Sequence, residues 1–129
     1  TNVVVRIMMG NGKVGKKARQ ALDDDPDRIC SVMLAWELAM LGQKRKLVLD
    51  ISLDKWIDRA ATMLRFVEVP VTGAIARDAG GLPGPIHGDP CDRIMIATAR
   101  THKCALMTTD RRILDYASAG HVDAIDAER

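Results

Sequence analysis

The sequence predicts an α/β fold built on a parallel sheet. Three observations lead there. Short apolar runs of strand length alternate with longer stretches of helical spacing along the chain. Residues suited to capping, among them Ser52, Thr72 and Asp89, stand where the pattern changes from loop to helix. Three acids, Glu37, Asp92 and Asp110, fall just after a strand-like run or in a first helical turn, the region where ligands gather in parallel α/β sheets. No internal repeat, low-complexity segment or linker divides the 129 residues, so residues 1–129 are expected to form a single domain.

Taken in order, Val3–Met9 is apolar and reads equally as strand or helix. Gly10, Asn11 and Gly12 break it, and Lys13–Leu22 reads as a basic helix followed by a turn over Asp23–Asp27, with Pro26 inside. Ile29–Met33 is short, apolar and bounded by charge, as a buried strand should be. Leu34–Lys44 then turns helical, with Leu34, Leu38 and Leu41 at three- and four-residue steps. Ser52 caps a helix through Met63, in which Trp56, Ile57, Ala60 and Leu64 share a face. Phe66–Val71 is the next strand, and Thr72 caps a short helix that fails by Gly80 and Gly81. A loop over Leu82–Gly88 carries two prolines. Asp89 as cap and Pro90 in the first turn start a helix to about His102. Cys104–Thr108 is a strand, Asp110–Ala119 a helix, and His121–Ile125 a last strand.

Composition narrows the function classes. Hydrophobic residues at 47% and charged residues at 28% belong to a globular chain. No apolar run approaches the roughly 20 residues that span a bilayer. Val3–Met9 is interrupted by Arg6 and lacks the flanks of a secretion signal, so a cytoplasmic protein is expected. The net charge of +2 gives little global attraction to nucleic acid, but Lys13, Lys16, Lys17 and Arg19, then Lys44–Lys46, then Arg111 and Arg112 form basic groups that can track phosphates or simply solvate a surface. Aromatic residues at 3% are too few for base-stacking platforms, which directs any nucleic-acid contact to the backbone. Cys30, Cys91 and Cys104 have neither disulfide nor zinc spacing and read as small buried thiols in a reducing compartment. His87, His102 and His121 lack metal-ligand spacing and read as surface or loop histidines.

The three acids come from separate segments and can converge on one sheet edge. Clustered carboxylates raise one another's pKa unless a cation compensates. The oxygen-rich site they make suits Mg²⁺ or Mn²⁺, which activates water and stabilises charge on a phosphodiester. The structural alternative stands beside this reading. Acids are favoured in the first turn of any helix, Asp110 can cap the helix after it, Asp92 can close a capping box with Asp89, and Asp89 itself reads as a cap.

Around these acids the sequence resembles a known family. Ser31–Met40 (SVMLAWELAM) is similar to the second acidic motif of VapC-type PIN domains, His87–Ala99 (HGDPCDRIMIATA) to the third and Leu106–Tyr116 (LMTTDRRILDY) to the fourth. The likeness runs from Thr1 to about Asp126, and its central motif is the most specific. The resemblance implies a three-layer sandwich with a central parallel sheet, strand order 3-2-1-4-5, flanked by helices. It implies a Mg²⁺- or Mn²⁺-dependent endoribonuclease acting as the toxin of a type II toxin–antitoxin system, with RNA as substrate, a cognate antitoxin protein as partner, and a homodimer. Carried over by position, Glu37, Asp92 and Asp110 are the catalytic and metal-binding acids. Thr108 or Thr109 supplies a hydroxyl to the metal shell or phosphate, Asp89 stands in support, and Arg93 supports a carboxylate.

One departure bears on activity. The family's first acid ends strand one and precedes a Thr-Asn or Thr-His pair, whereas this sequence opens at Thr1–Asn2. Either upstream residues lie outside the sequence, or Val3–Met9 takes the central strand position. A different function class follows from a degenerate site: a PIN domain acting as a protein- or RNA-binding module within a toxin–antitoxin complex. The segment Leu34–Leu64, two apolar-faced helices joined by a basic stretch, offers a groove for an antitoxin helix, or else simply covers the sheet.

Overall fold

Two pairs of short parallel strands carry the fold. β1 (Arg28–Ser31) lies beside β2 (Phe66–Val69) with Ile29 opposite Val67 and Ser31 opposite Val69, and β3 (Leu106–Thr108) lies beside β4 (Ala124–Asp126) with Met107 opposite Ile125. The computed structural model describes residues 1–10 and 12–129, so Asn11, expected within the break after the first apolar run, lies outside the described residues. Helices α1 (Asn2–Met9), α2 (Lys16–Asp24), α3 (Met33–Gln43), α4 (Leu53–Leu64), α5 (Gly73–Gly80), α6 (Pro90–His102) and α7 (Arg111–Ser118) connect and cover the strands.

The expected α/β class is what the chain adopts. The strand pairs are those at the two ends of the expected order, and no strand joins them among the described residues. Between them lies a largely apolar cavity of about 250 Å³, bordered by Ile29 and Cys30 of β1, Leu106 and Met107 of β3, and Val3 and Ile7 of α1.

Val3–Met9 does not slide into that central position. It is helical, despite three consecutive valines, because Val4, Val5 and Met8 pack against the cluster of Leu34, Leu38, Trp56, Ala60 and Phe66. Tertiary burial here outweighs the modest strand preference of β-branched side chains. Gly10, at φ 63°, ends the helix in the left-handed conformation that costs glycine least.

Where the strands and helices end differs from expectation for local reasons. α2 begins at Lys16, three residues after the expected Lys13, because Gly15 and Lys17 donate their amides to the carbonyls of Ala127 and Arg129 at 2.8 and 2.9 Å. Gly15 lies so close to the Arg129 backbone that no Cβ fits. α2 then runs to Asp24, into the expected turn. β3 starts at Leu106, not Cys104, since Lys103 is left-handed and the Cys104 amide still bonds Ala99 of α6. β4 starts at Ala124, not His121, because Gly120 turns the chain at φ 92° and Val122 drops into the core. The caps fall as expected: Ser52 accepts from the Lys55 amide, Thr72 from Ile75 and Asp89 from Asp92.

Two apolar clusters flank the cavity. Beside the α1–α3–α4 cluster, Ile96 and Ala99 of α6 pack with Ile113 and Tyr116 of α7. Burying such side chains stabilises by roughly 1.5–3 kcal/mol each.

Candidate functional site

Glu37, Asp92 and Asp110 meet at one pocket beyond the carboxyl ends of the strands. The pocket, of about 90 Å³, is bordered by these three together with Asn2, Thr108 and Thr109. Each acid is placed by the chain around it. Leu34 and Leu38 are buried on the core face of α3, which turns Glu37 toward the pocket, one turn in from the start of the helix and not in its first turn. Glu37 accepts a hydrogen bond from the Thr1 hydroxyl.

Asp92 sits in the first turn of α6, its amide donated to the Asp89 carboxylate at 3.0 Å. Its Oδ2 lies 2.7 Å from Nε2 of His87. Asp110 caps α7, accepting the Arg112 amide at 2.8 Å, while its own amide donates to the Thr108 hydroxyl at 3.0 Å. The Arg112 guanidinium closes on it with Nη2 3.2 Å from Oδ2. One ligand atom each from His87, Asp92 and Asp110 lie within 4.8 Å of one another, with Glu37 on the wall of the same pocket.

The electrostatics separate the two aspartates. Burial pushes the Asp92 carboxyl up; the His87 hydrogen bond opposes this, but the negative charges of Asp89 and Asp110 add to burial and the result stays above the ordinary range. At Asp110 burial also pushes upward, but the hydrogen bonds and charge of Arg112 outweigh it and hold the carboxyl below that range. Burial, then the charge of Glu37, push the Cys91 thiol up, so it stays protonated beside Glu37.

Not every expected site residue takes the expected part. Arg93 does not support a carboxylate: its guanidinium donates to the carbonyls of Ala79 and Gly80 at 2.9 and 3.3 Å, and so ties the end of α5 to α6. Asp89 is exposed and acts as the α6 cap. Thr108 holds the Asp110 backbone, and Thr109 borders the pocket. Conversely, His87 was expected to be an ordinary loop histidine and instead pairs with Asp92, with only 15% of its side chain exposed. No spacing rule reveals it, because it reaches Asp92 from a loop two residues before the helix cap. Cys91 and Arg112 were likewise invisible as neighbours of acids until the helices were placed. Of the basic groups, Arg111 and Arg112 are the ones beside the site; Arg111 also pairs with Asp126 of β4 at 3.5 Å.

The residues present fit a divalent cation. The pocket offers carboxylate oxygens from three segments, and Asp92 carries the raised carboxyl that uncompensated clustered charge produces. What fold and site define together is an α/β domain with an acidic, metal-suited centre at its strand ends. The chain belongs to the PIN-domain family, which it matches over residues 1–119. It is similar to "Ribonuclease VapC22" of Mycobacterium tuberculosis (strain ATCC 25618 / H37Rv), with 33% identity over 105 residues, covering 81% of this chain and 78% of that protein. No solved structure matches the chain significantly.

Proposed function

We propose that this chain is a divalent-metal-dependent endoribonuclease that hydrolyses RNA phosphodiester bonds as the toxin of a VapC-type pair. The observation that carries the reading is the meeting of Glu37, Asp92 and Asp110 in one pocket at the strand ends, in a PIN domain similar to a protein named a ribonuclease. Mg²⁺ or Mn²⁺ bound there supplies activation of water and compensation of the charge that develops on a phosphodiester. Glu37, Asp92 and Asp110 hold it through their carboxylate oxygens. Thr109 offers a hydroxyl to the phosphate, and the exposed Arg111 and Arg112 meet the RNA backbone beside the acids. Modest net charge and scarce aromatics agree with a substrate gripped through its phosphates.

A cognate antitoxin and a second copy of the chain are the protein partners of this reading, and the cytoplasm its location. Among the described residues, no helix is long and apolar enough to cross a membrane. On α3 and α4, Leu34, Leu38, Trp56 and Ala60 are buried in the core. Trp36, 54% exposed, and Met63, 66% exposed, are left as the apolar anchors of a partner surface on those helices.

The test is incubation of the purified chain with a total RNA or tRNA pool, with Mn²⁺ or with chelator, beside Asp92→Ala. Cleavage that requires Mn²⁺ and vanishes in the variant supports the reading. Cleavage that survives in Asp92→Ala refutes the acidic site. Mn²⁺ binding without cleavage by the wild-type chain favours the binding-module class.

A further inference from the structure

We infer that His87 is the positioning residue of the acidic site: its Nε2–H holds Oδ2 of Asp92, so that Oδ1 is presented to the cation. The inference rests on the metal-dependent reading above and adds a residue to it that the three carboxylates do not imply. Three observations carry it. His87 Nε2 lies 2.7 Å from Asp92 Oδ2, at the short end of a charge-assisted bond. The pair is shielded, with side-chain exposures of 15% for His87 and 25% for Asp92. Nδ1 of His87 is buried and meets no hydrogen-bond partner among the described residues.

The last observation makes Nε2 the ring atom with the polar contact among the described residues. A carboxylate oxygen only accepts, so Nε2 must carry a proton to bond it. Nε2 then has no lone pair to give a metal, so His87 acts through Asp92 and is not itself a ligand. The loop that carries it is stiffened by Pro83 and Pro85 and runs directly into the Asp89 cap of α6, which fixes the imidazole relative to the carboxylate. Outer partners of this kind typically change metal affinity 10- to 100-fold when removed.

Glutamine places an amide N–H near the position of Nε2, whereas asparagine places one near Nδ1. Mn²⁺ binding would be measured by titration calorimetry for the wild-type chain and for His87→Gln, His87→Asn and His87→Ala. The metal-free melting temperature of each would be recorded, and the ring tautomer read by ¹H–¹⁵N correlation in the wild-type chain. The expected result is an Nε2–H tautomer, Mn²⁺ affinity lowered about tenfold or more in the Asn and Ala variants, and affinity within about threefold of wild type in the Gln variant. An Nδ1–H tautomer would overturn the inference. So would unchanged Mn²⁺ affinity in His87→Ala, which would leave a packing role seen only in the melts. Equal loss in all three variants, with altered preference between Mn²⁺ and Mg²⁺, would make His87 a direct ligand and also overturn it. If the wild-type chain binds no Mn²⁺ at all, the metal-dependent reading itself falls. That outcome is distinct from intact wild-type binding with no effect of His87.

Discussion

The guanidinium of Arg112 rests on the carboxylate of Asp110, with Nη2 3.2 Å from Oδ2 and Nε 3.4 Å from Oδ1, on the same acid that caps α7. One carboxylate thus serves a helix terminus, an exposed arginine and the acidic pocket. A cation held by Asp110 would repel the guanidinium and compete for the same oxygens, leaving Arg112 free to meet a phosphate. Arg112→Ala is therefore expected to tighten Mn²⁺ binding roughly two- to fivefold, the scale of an exposed ion pair. The same variant should weaken binding of RNA and flatten its salt dependence. Calorimetry for the metal and a filter-binding series in salt for the RNA check the two halves. Mn²⁺ affinity that falls with Arg112→Ala would show that the arginine supports the metal site and does not compete with it.

Asp92 is held in a place that disfavours its charge, and this costs the metal-free fold stability. Its carboxyl is raised by burial and by neighbouring acids, so the metal-free folded state takes up a proton there more readily than the unfolded chain does. The stability lost to that charge is fully lost above the raised folded value and recovered as pH falls through it. Asp110 runs the other way: its lowered carboxyl stabilises the fold above the ordinary aspartate range, and that contribution disappears as pH falls through its folded value. Asp92→Asn keeps an acceptor for His87 and removes the charge. At neutral pH it should melt above the metal-free wild type, with the gap narrowing toward acid, while Mn²⁺ binding is lost. Melting curves across pH, with and without Mn²⁺, decide this. A variant that melts lower at neutral pH would place Asp92 in a purely structural role.

The cap of α6 gives the complementary case. Asp89 does not border the pocket and accepts the Asp92 amide at 3.0 Å, so its work is to start the helix that carries Asp92. Asp89→Ala should cost about 1 kcal/mol of stability, as loss of an N-cap does. Asp89→Ser, which caps equally well, should recover most of it, and Mn²⁺ affinity of the serine variant should remain near wild type. Chemical denaturation and calorimetry together test the assignment. Loss of Mn²⁺ binding in the serine variant would make Asp89 part of the metal site.

What was legible in the sequence follows from the range of the interactions. The caps at Ser52, Thr72 and Asp89 are local hydrogen bonds across three residues, and all were readable. The meeting of the three acids at one end was readable in part: Asp110 follows a strand and Asp92 opens a helix, whereas Glu37 lies one turn inside α3 and not in the first turn expected. Tertiary contacts were not readable. The valine run of α1 is helical because of what Val4 and Val5 pack against, and α2 starts where the carbonyls of Ala127 and Arg129 place it. Arg93 looked like a carboxylate partner from its place beside Asp92, yet a helix turns neighbouring side chains apart, and it meets the carbonyls of α5 instead. His87 was missed for the converse reason: five residues of loop and helix start fold back on themselves to bring it to Asp92.

The cavity between the two strand pairs yields the last prediction. β1 and β3 both border it, each pairs with one strand only among the described residues, and its lining is largely apolar. Two strand edges facing one apolar slot are the binding geometry for an added strand, whose backbone groups pair on both sides while alternate side chains fill the space. A space of about 250 Å³ left unfilled also costs stability through lost packing. An extended peptide of about five apolar residues, matched to the length of strands here, should therefore bind in trans and raise the melting temperature. At one hundred times its Kd the gain is about 2.7 kcal/mol. Cys30 gives a local reporter. Its thiol lines the cavity and is pushed up to about 11 by burial, so it reacts slowly with alkylating reagents and should react more slowly still once the slot is filled. Hydrogen exchange should slow in β1 and β3 together. A peptide of the same composition with proline at its centre cannot donate to the ladder and should do none of this. Equal stabilisation by both peptides would mean nonspecific apolar binding, and protection confined to β1 would mean that the two strand pairs do not share one added strand.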